Sequence, residues 1–94
     1  MPLDPTIHSP ARLTLMTALT AVSEVEFATL RDSLGVSDSV LSKHLSALAA
    51  VHYVKVRKGS HLGRRTTWVA LTTTGRAALS AHVAALREII AGIE

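Results

Sequence analysis

The chain has 94 residues, a formal net charge of +3 and 48% apolar residues, with one Trp, one Tyr and one Phe. That is one domain with a thin aliphatic core, for which additional apolar burial against a partner subunit is expected. The lack of cysteine excludes disulfides and thiolate metal sites, and no apolar run nears the ~20 residues that cross a bilayer. No basic segment followed by an apolar run marks a signal peptide at the N-terminus, so a cytoplasmic protein is expected.

Residues 1–7 hold two prolines and no period, which predicts a loose arm. Ser9-Pro10 then reads as a helix start, serine as cap and proline at the first helical position. Leu13, Leu15, Met16, Leu19 and Val22 carry a helical apolar pattern to about residue 22. Ser23-Glu24-Val25-Glu26 reads as a short connector with room for a small strand. Phe27, Leu30 and Leu34 form one face of a second helix, which Gly35 ends because glycine takes the left-handed conformation at little steric cost.

Ser37 is placed to cap a third helix. In it Leu41, Leu45 and Leu48 share one buried stripe, while Asp38, Ser39, Ser42, Lys43 and Ser46 fall on other faces. A helix anchored by leucines that shows short polar and basic side chains to solvent suits the major groove of DNA. The segment reads as the recognition helix of a helix-turn-helix. Ser37, Ser39, Ser42 and Ser46 can donate or accept, Lys43 can reach guanine or a phosphate, and Asp38 can accept from cytosine or favour the helix dipole.

The period then changes. Tyr53–Lys58 alternates apolar with basic residues, as a half-buried strand does. Gly59–Gly63 is turn-rich, and Thr66–Leu71 reads as the returning strand of a hairpin with a basic tip. Lys58, His61, Arg64 and Arg65 at that tip suit a phosphate backbone or an A·T-rich minor groove. Six of the ten basic residues fall between Lys43 and Arg65, and no acid stands between Asp38 and Glu88. Such a distribution marks a phosphate-facing surface. Arg12 and Arg31, on the earlier helices, read as solvated.

Thr72-Thr-Thr-Gly-Arg76 opens a last helix, from about 74 to 93 and ~30 Å long. Leu79, Val83, Leu86, Ile90 and Ile93 recur at four, three, four, three, a heptad-like seam that Ile89 broadens. The seam, assisted by Leu13 and Leu15, is expected to pair with a second copy of the chain.

The pieces His8–Leu13, Phe27–Leu30, Val36–Leu45, Tyr53–Lys58, Gly63–Arg65 and Trp68–Arg76, in that order, resemble the short winged-helix regulators of the MarR/ArsR type over almost the full length. The resemblance implies an α+β, mainly α fold: a winged helix-turn-helix at 8–72 and a C-terminal dimerisation helix at 73–94. It also implies a homodimeric transcriptional regulator binding double-stranded DNA, here expected to be a repressor on a palindromic operator. The alternatives are a winged-helix protein-interaction module and a metal- or ligand-responsive sensor with a small-molecule effector in a cleft between subunits. Against a metal, no two of His8, His44, His52, His61 and His82 stand at i, i+3 or i, i+4, and His82 and Glu88 lie on different helix faces. No metal, cofactor or catalysis is expected: the serines lack a nucleophile-elbow pattern, there is no glycine-rich phosphate loop, and Glu24 and Glu26 sit on a connector.

Overall fold

The computed structural model describes residues 2–93. In chain order the elements are α1 (Pro10–Leu19), β1 (Val25–Glu26), α2 (Phe27–Leu34), α3 (Asp38–Ala50), β2 (Val54–His61), β3 (Arg64–Leu71) and α4 (Thr73–Ile93). The strands form one antiparallel sheet in the order β1-β3-β2. This is a winged-helix α+β fold, mainly helical, with α4 following the wing.

Caps set the helix boundaries. Ser9 Oγ accepts from the Arg12 N–H at 3.2 Å with Pro10 at the first position of α1. This helix stops at Leu19 rather than near residue 22, because the Thr20 hydroxyl and N–H both return to the Thr17 carbonyl, at 2.6 and 3.1 Å. The chain thereby tightens to three-residue bonds and Val22 turns outward. Gly35, with φ 67°, closes α2 as expected, and Ser37 Oγ accepts from the Val40 N–H to open α3.

At the end of α3, His52 N–H donates to the Ala49 carbonyl and Tyr53 N–H to the Leu48 carbonyl. That is a Schellman closure, and His52 occupies its left-handed position with φ 63°, where glycine is usual. Thr72 joins this closure to α4. Its hydroxyl donates to the His52 carbonyl at 2.6 Å and accepts from the Gly75 N–H at 2.9 Å. Gly75 lies so close to the Tyr53 backbone that an added Cβ would stand 2.1 Å from the Tyr53 oxygen.

One core joins all the helices and both long strands: Leu15, Met16 and Leu19 of α1, Leu30 of α2, Leu41, Leu45 and Leu48 of α3, Val54, Val69 and Leu79. Each such side chain contributes about 1.5–3 kcal/mol by leaving water. Two residues expected to meet a second copy are therefore unavailable: Leu15 is fully buried and Leu79 is 7% exposed within the protomer. Helical spacing groups residues on a face, but it does not say which end of that face the protomer covers.

The expected loose arm is also corrected. Ile7 is fully buried in the core, and residues 5–7 form a turn in which the Ile7 and His8 N–H groups donate to the Asp4 carbonyl. The Asp4 carboxylate accepts from the Thr6 N–H and the Tyr53 hydroxyl, and the Asp4 N–H donates to His82 Nδ1 at 3.0 Å. The Asp4 bond and burial raise the Tyr53 pKa above its ordinary value. One buried isoleucine and one aspartate thus tie the segment down without any periodic signal.

Candidate nucleic-acid interface

The leucine stripe of α3 faces inward, which leaves Ser39, Ser42, Lys43 and Ser46 exposed along its outer side. Three of the predicted contact groups on α3 and its cap have local partners. Ser37 Oγ is the cap and stands 3.2 Å from Ser39 Oγ. Asp38 accepts from Arg31 Nη1 at 2.8 Å, while Arg31 Nε reaches Asp32 at 2.9 Å. Those two bonds, Asp32 first, raise the Arg31 pKa above its ordinary value. Arg31, read as solvated, instead braces the turn between α2 and α3, and Asp38 carries a neutralising cation.

Across from α3 stands the hairpin. Its strands pair continuously from Val54↔Leu71 to His61↔Arg64, so only Leu62 and Gly63 make the turn. Both have positive φ, 53° and 77°, as a tight two-residue turn matched to strand twist requires. The wing is thus longer and tighter than the five-residue loop expected at 59–63. Gly59 belongs to β2, where it makes room for Arg57 and Trp68: an added Cβ would meet Trp68 Cδ1 at 3.0 Å.

The two faces of the hairpin differ in charge. On one, Arg57 lies over the Trp68 ring, 5.5 Å from its centroid, and donates twice to Glu24 at 2.7 and 3.1 Å. This bond lowers the Glu24 pKa and raises that of Arg57. His61 packs edge-on to Trp68 with Nε2 3.6 Å from Glu26, and Glu26 accepts from the Thr66 hydroxyl. His61 is therefore held toward the acids of β1 and its connector. On the other face, Val56, Lys58 and Thr67 line an open groove of about 450 Å³ shared with Asp38, Ser42 and Ser46 of α3. Lys58 Nζ bonds only the Thr67 hydroxyl, and Lys43, Arg64 and Arg65 make no ion pair among the described residues.

The structure thus brings Ser42, Ser46 and Lys58 to one groove, sets Ser39 and Lys43 beside it on the exposed side of α3, and places Arg64 and Arg65 at the wing tip. Acids neutralise the opposite side of the wing. Lys58 in the groove, Lys43 on α3 and Arg64 and Arg65 at the tip are cations without an ion pair among the described residues, as phosphate binding requires, while the serines offer adaptable donors and acceptors.

Away from this groove, the apolar seam of α4 emerges beyond the protomer core. Val83 and Leu86 are half-buried, and Ile89, Ile90 and Ile93 are exposed. Leu13 and Leu86 line a second groove between α1 and α4 with Pro10 and His82. Among the described residues no three His, Asp or Glu side chains gather in a way that could hold a metal ion, and no helix is long and apolar enough to cross a membrane.

Several residues that organise the site were invisible as such in the sequence. Arg12, read as a solvated side chain, donates from Nε to His44 Nδ1 and from Nη1 to the Thr6 carbonyl, both at 3.2 Å. His82 is 1% exposed, and its Nε2 has no partner among the described residues. Glu24 and Glu26 acquire their role only once β1 pairs with β3, a contact that no local spacing announces.

The family profile described as winged helix DNA-binding domain matches residues 11–90. An uncharacterized protein of Methanocaldococcus jannaschii, MJ0432, is 26% identical over 87 residues, covering 93% of this chain and 95% of its own. Among solved structures, a transcriptional regulator homologue from Pyrococcus horikoshii superposes with a TM-score of 0.88 at 24% identity, over 95% of this chain and 88% of that one. The Mycobacterium tuberculosis transcriptional regulator MOSR, solved in complex with DNA, superposes with a TM-score of 0.73 at 22% identity, over 95% of this chain and 63% of its own.

Proposed function

Because the chain belongs to the family of winged helix DNA-binding domains, we propose that it is a transcriptional regulator that binds double-stranded DNA as a homodimer. The observation that carries this reading is the groove between α3 and the wing, where Ser42 and Ser46 of α3 stand opposite Lys58, with Lys43 exposed on α3 and Arg64 and Arg65 at the wing tip. The outer side of α3 enters the major groove, where Ser39, Ser42, Lys43 and Ser46 meet base edges and phosphates. Arg64 and Arg65 reach the backbone or the adjacent minor groove from the wing tip. The regulator homologue and the DNA-bound regulator whose folds this chain shares support the assignment.

The second copy covers the apolar ridge of Val83, Leu86, Ile89, Ile90 and Ile93, with Leu13 beside it. Two recognition helices related by a two-fold axis then read an inverted repeat with half-sites about one turn, ~34–36 Å, apart. Occupying such a site blocks polymerase, so repression is the direction of control.

Selection of bound duplexes from a random pool tests the reading. Enrichment of an inverted repeat with half-sites about one turn apart is the expected result. Salt-sensitive binding without any enriched motif would favour a protein-interaction module instead. With the selected duplex, Arg64→Ala/Arg65→Ala should flatten the dependence of log affinity on log salt by about four units, two from each protomer of the dimer, when all four arginines meet phosphates.

A further inference from the structure

A hydrogen-bonded chain crosses the protomer from α4 to α3. It begins at His82 of α4, whose Nδ1 accepts from the Asp4 N–H at 3.0 Å. The Asp4 carboxylate binds the Thr6 N–H at 2.9 Å. The Thr6 carbonyl accepts from Arg12 Nη1 at 3.2 Å, and Arg12 Nε donates to His44 Nδ1, also at 3.2 Å. His44 lies on α3, between the exposed Lys43 and the buried Leu45. Arg12 is the junction: one face of its guanidinium holds the N-terminal segment and another holds α3. No other side-chain hydrogen bond among the described residues links α1 to α3.

The chemistry of this bond depends on protonation. An imidazole accepts at Nδ1 only when neutral, with its proton on Nε2. Protonated His44 would turn an N–H toward the Arg12 N–H and set two cations against each other. The bond would become a repulsion acting directly on α3. The charged groups facing His44 are Arg12 from α1 and Lys43 from its own helix. The wall around it holds Pro10, Ala11, Thr14, Leu34 and Val36, with no carboxylate to compensate the charge.

Resting on the DNA reading above, we propose that Arg12 is a positioning residue for DNA recognition: it sets α3 through neutral His44, so that binding weakens on mild acidification. Burial first, then the charges of Arg12 and Lys43, hold His44 below its ordinary pKa. The sign follows by linkage. The tie is complete above the ordinary histidine pKa, about 6.5, and is lost as pH falls through the lowered value of the folded state. General electrostatics predicts the opposite. Any positive charge that the protein gains as pH falls tightens its binding to the DNA polyanion.

Affinity for the selected duplex, measured by fluorescence anisotropy between pH 5 and 8 at fixed ionic strength, decides between the two. For the wild type the expected result is constant affinity above about pH 7 and a loss of about three- to tenfold on acidification, the range of one hydrogen bond. His44→Asn keeps an acceptor near the Nδ1 position that does not titrate, and should bind with neutral-pH affinity while losing the acid sensitivity. Arg12→Ala should bind about three- to tenfold more weakly at neutral pH and tighten on acidification. Circular dichroism melts of each variant at both pH extremes confirm that the folded state is compared. Wild-type affinity that rises on acidification, or acid loss retained in His44→Asn, overturns the proposal while leaving the DNA reading intact. Absence of binding by the wild type at every pH overturns both. Nitrogen-15 shifts of His44 in the free protein give a readout independent of DNA: an Nε2–H tautomer that changes in Arg12→Ala is expected, and an Nδ1–H tautomer overturns the tie.

Discussion

The two halves of α4 share one apolar spacing and have opposite fates. In the first half, Gly75, Leu79 and His82 are buried against the rest of the protomer, and burial ends just past the midpoint at Ala85. In the second, Ile89 and Ile90 are each 50% exposed and Ile93 is 81% exposed. Leu79, Val83, Leu86, Ile90 and Ile93 form a continuous seam in sequence, yet the protomer covers only its beginning. A heptad-like repeat therefore states that a face will be covered, not by whom.

Substitutions along the helix break or sharpen this contrast. The largest effect is expected at Gly75→Ala, where the new Cβ would collide with the Tyr53 backbone, which no rotamer change can clear. A loss of about 3 kcal/mol or more in chemical denaturation is expected; a loss near zero would mean that the two segments separate freely. Leu79→Ala should cost about 2–4 kcal/mol by cavity formation, also read from denaturation midpoints. At the far end the triple change Ile89→Ser/Ile90→Ser/Ile93→Ser should leave protomer stability within about 1 kcal/mol. Self-association, followed by sedimentation, should weaken roughly a hundredfold. If this triple change unfolds the chain instead, the outer half belongs to the protomer core and the contrast fails.

The smallest effect is at the closure that delivers Tyr53 to Gly75. His52→Gly removes a side chain from the left-handed position. Relief of that strain exceeds the added backbone entropy by a margin, so a gain of about 0.5–1 kcal/mol is expected. A thermal melt shifted upward would show that the inner half is held by the backbone geometry of residues 52–53 and not by the His52 ring.

What could be read from the sequence follows the same division. Local signals were sufficient for α3: its leucines at four and three, the serine at its start and the left-handed glycine before it act within one or two turns. The alternation in Tyr53–Lys58 gave the wing for the same reason. Burial of Leu15 and Leu79 was not legible, because it depends on which helix end meets the core. The role of Arg12 was hidden too: its partners are Thr6, six residues away, and His44, thirty-two away. Ile7 is a single apolar residue between prolines and a histidine, and a period cannot be read from one point. The groove residues Ser42, Ser46 and Lys58 were named from their chemistry, but their shared concavity, and the withdrawal of His61 toward Trp68 and Glu26, required the sheet register.

The two-residue turn at Leu62-Gly63 gives the wing a fixed reach. Seven residue steps at ~3.3 Å separate Val54 from His61, so the tip stands about 23 Å from the base of the hairpin, with paired backbone along the whole distance. A structure built this way measures length by counting residues. Adding one residue to each strand would lengthen it but swap its inner and outer faces, whereas adding two would advance the tip by ~6.6 Å and preserve them. The arginines beyond the turn are thus carried on a calibrated arm whose only permissible increments are even.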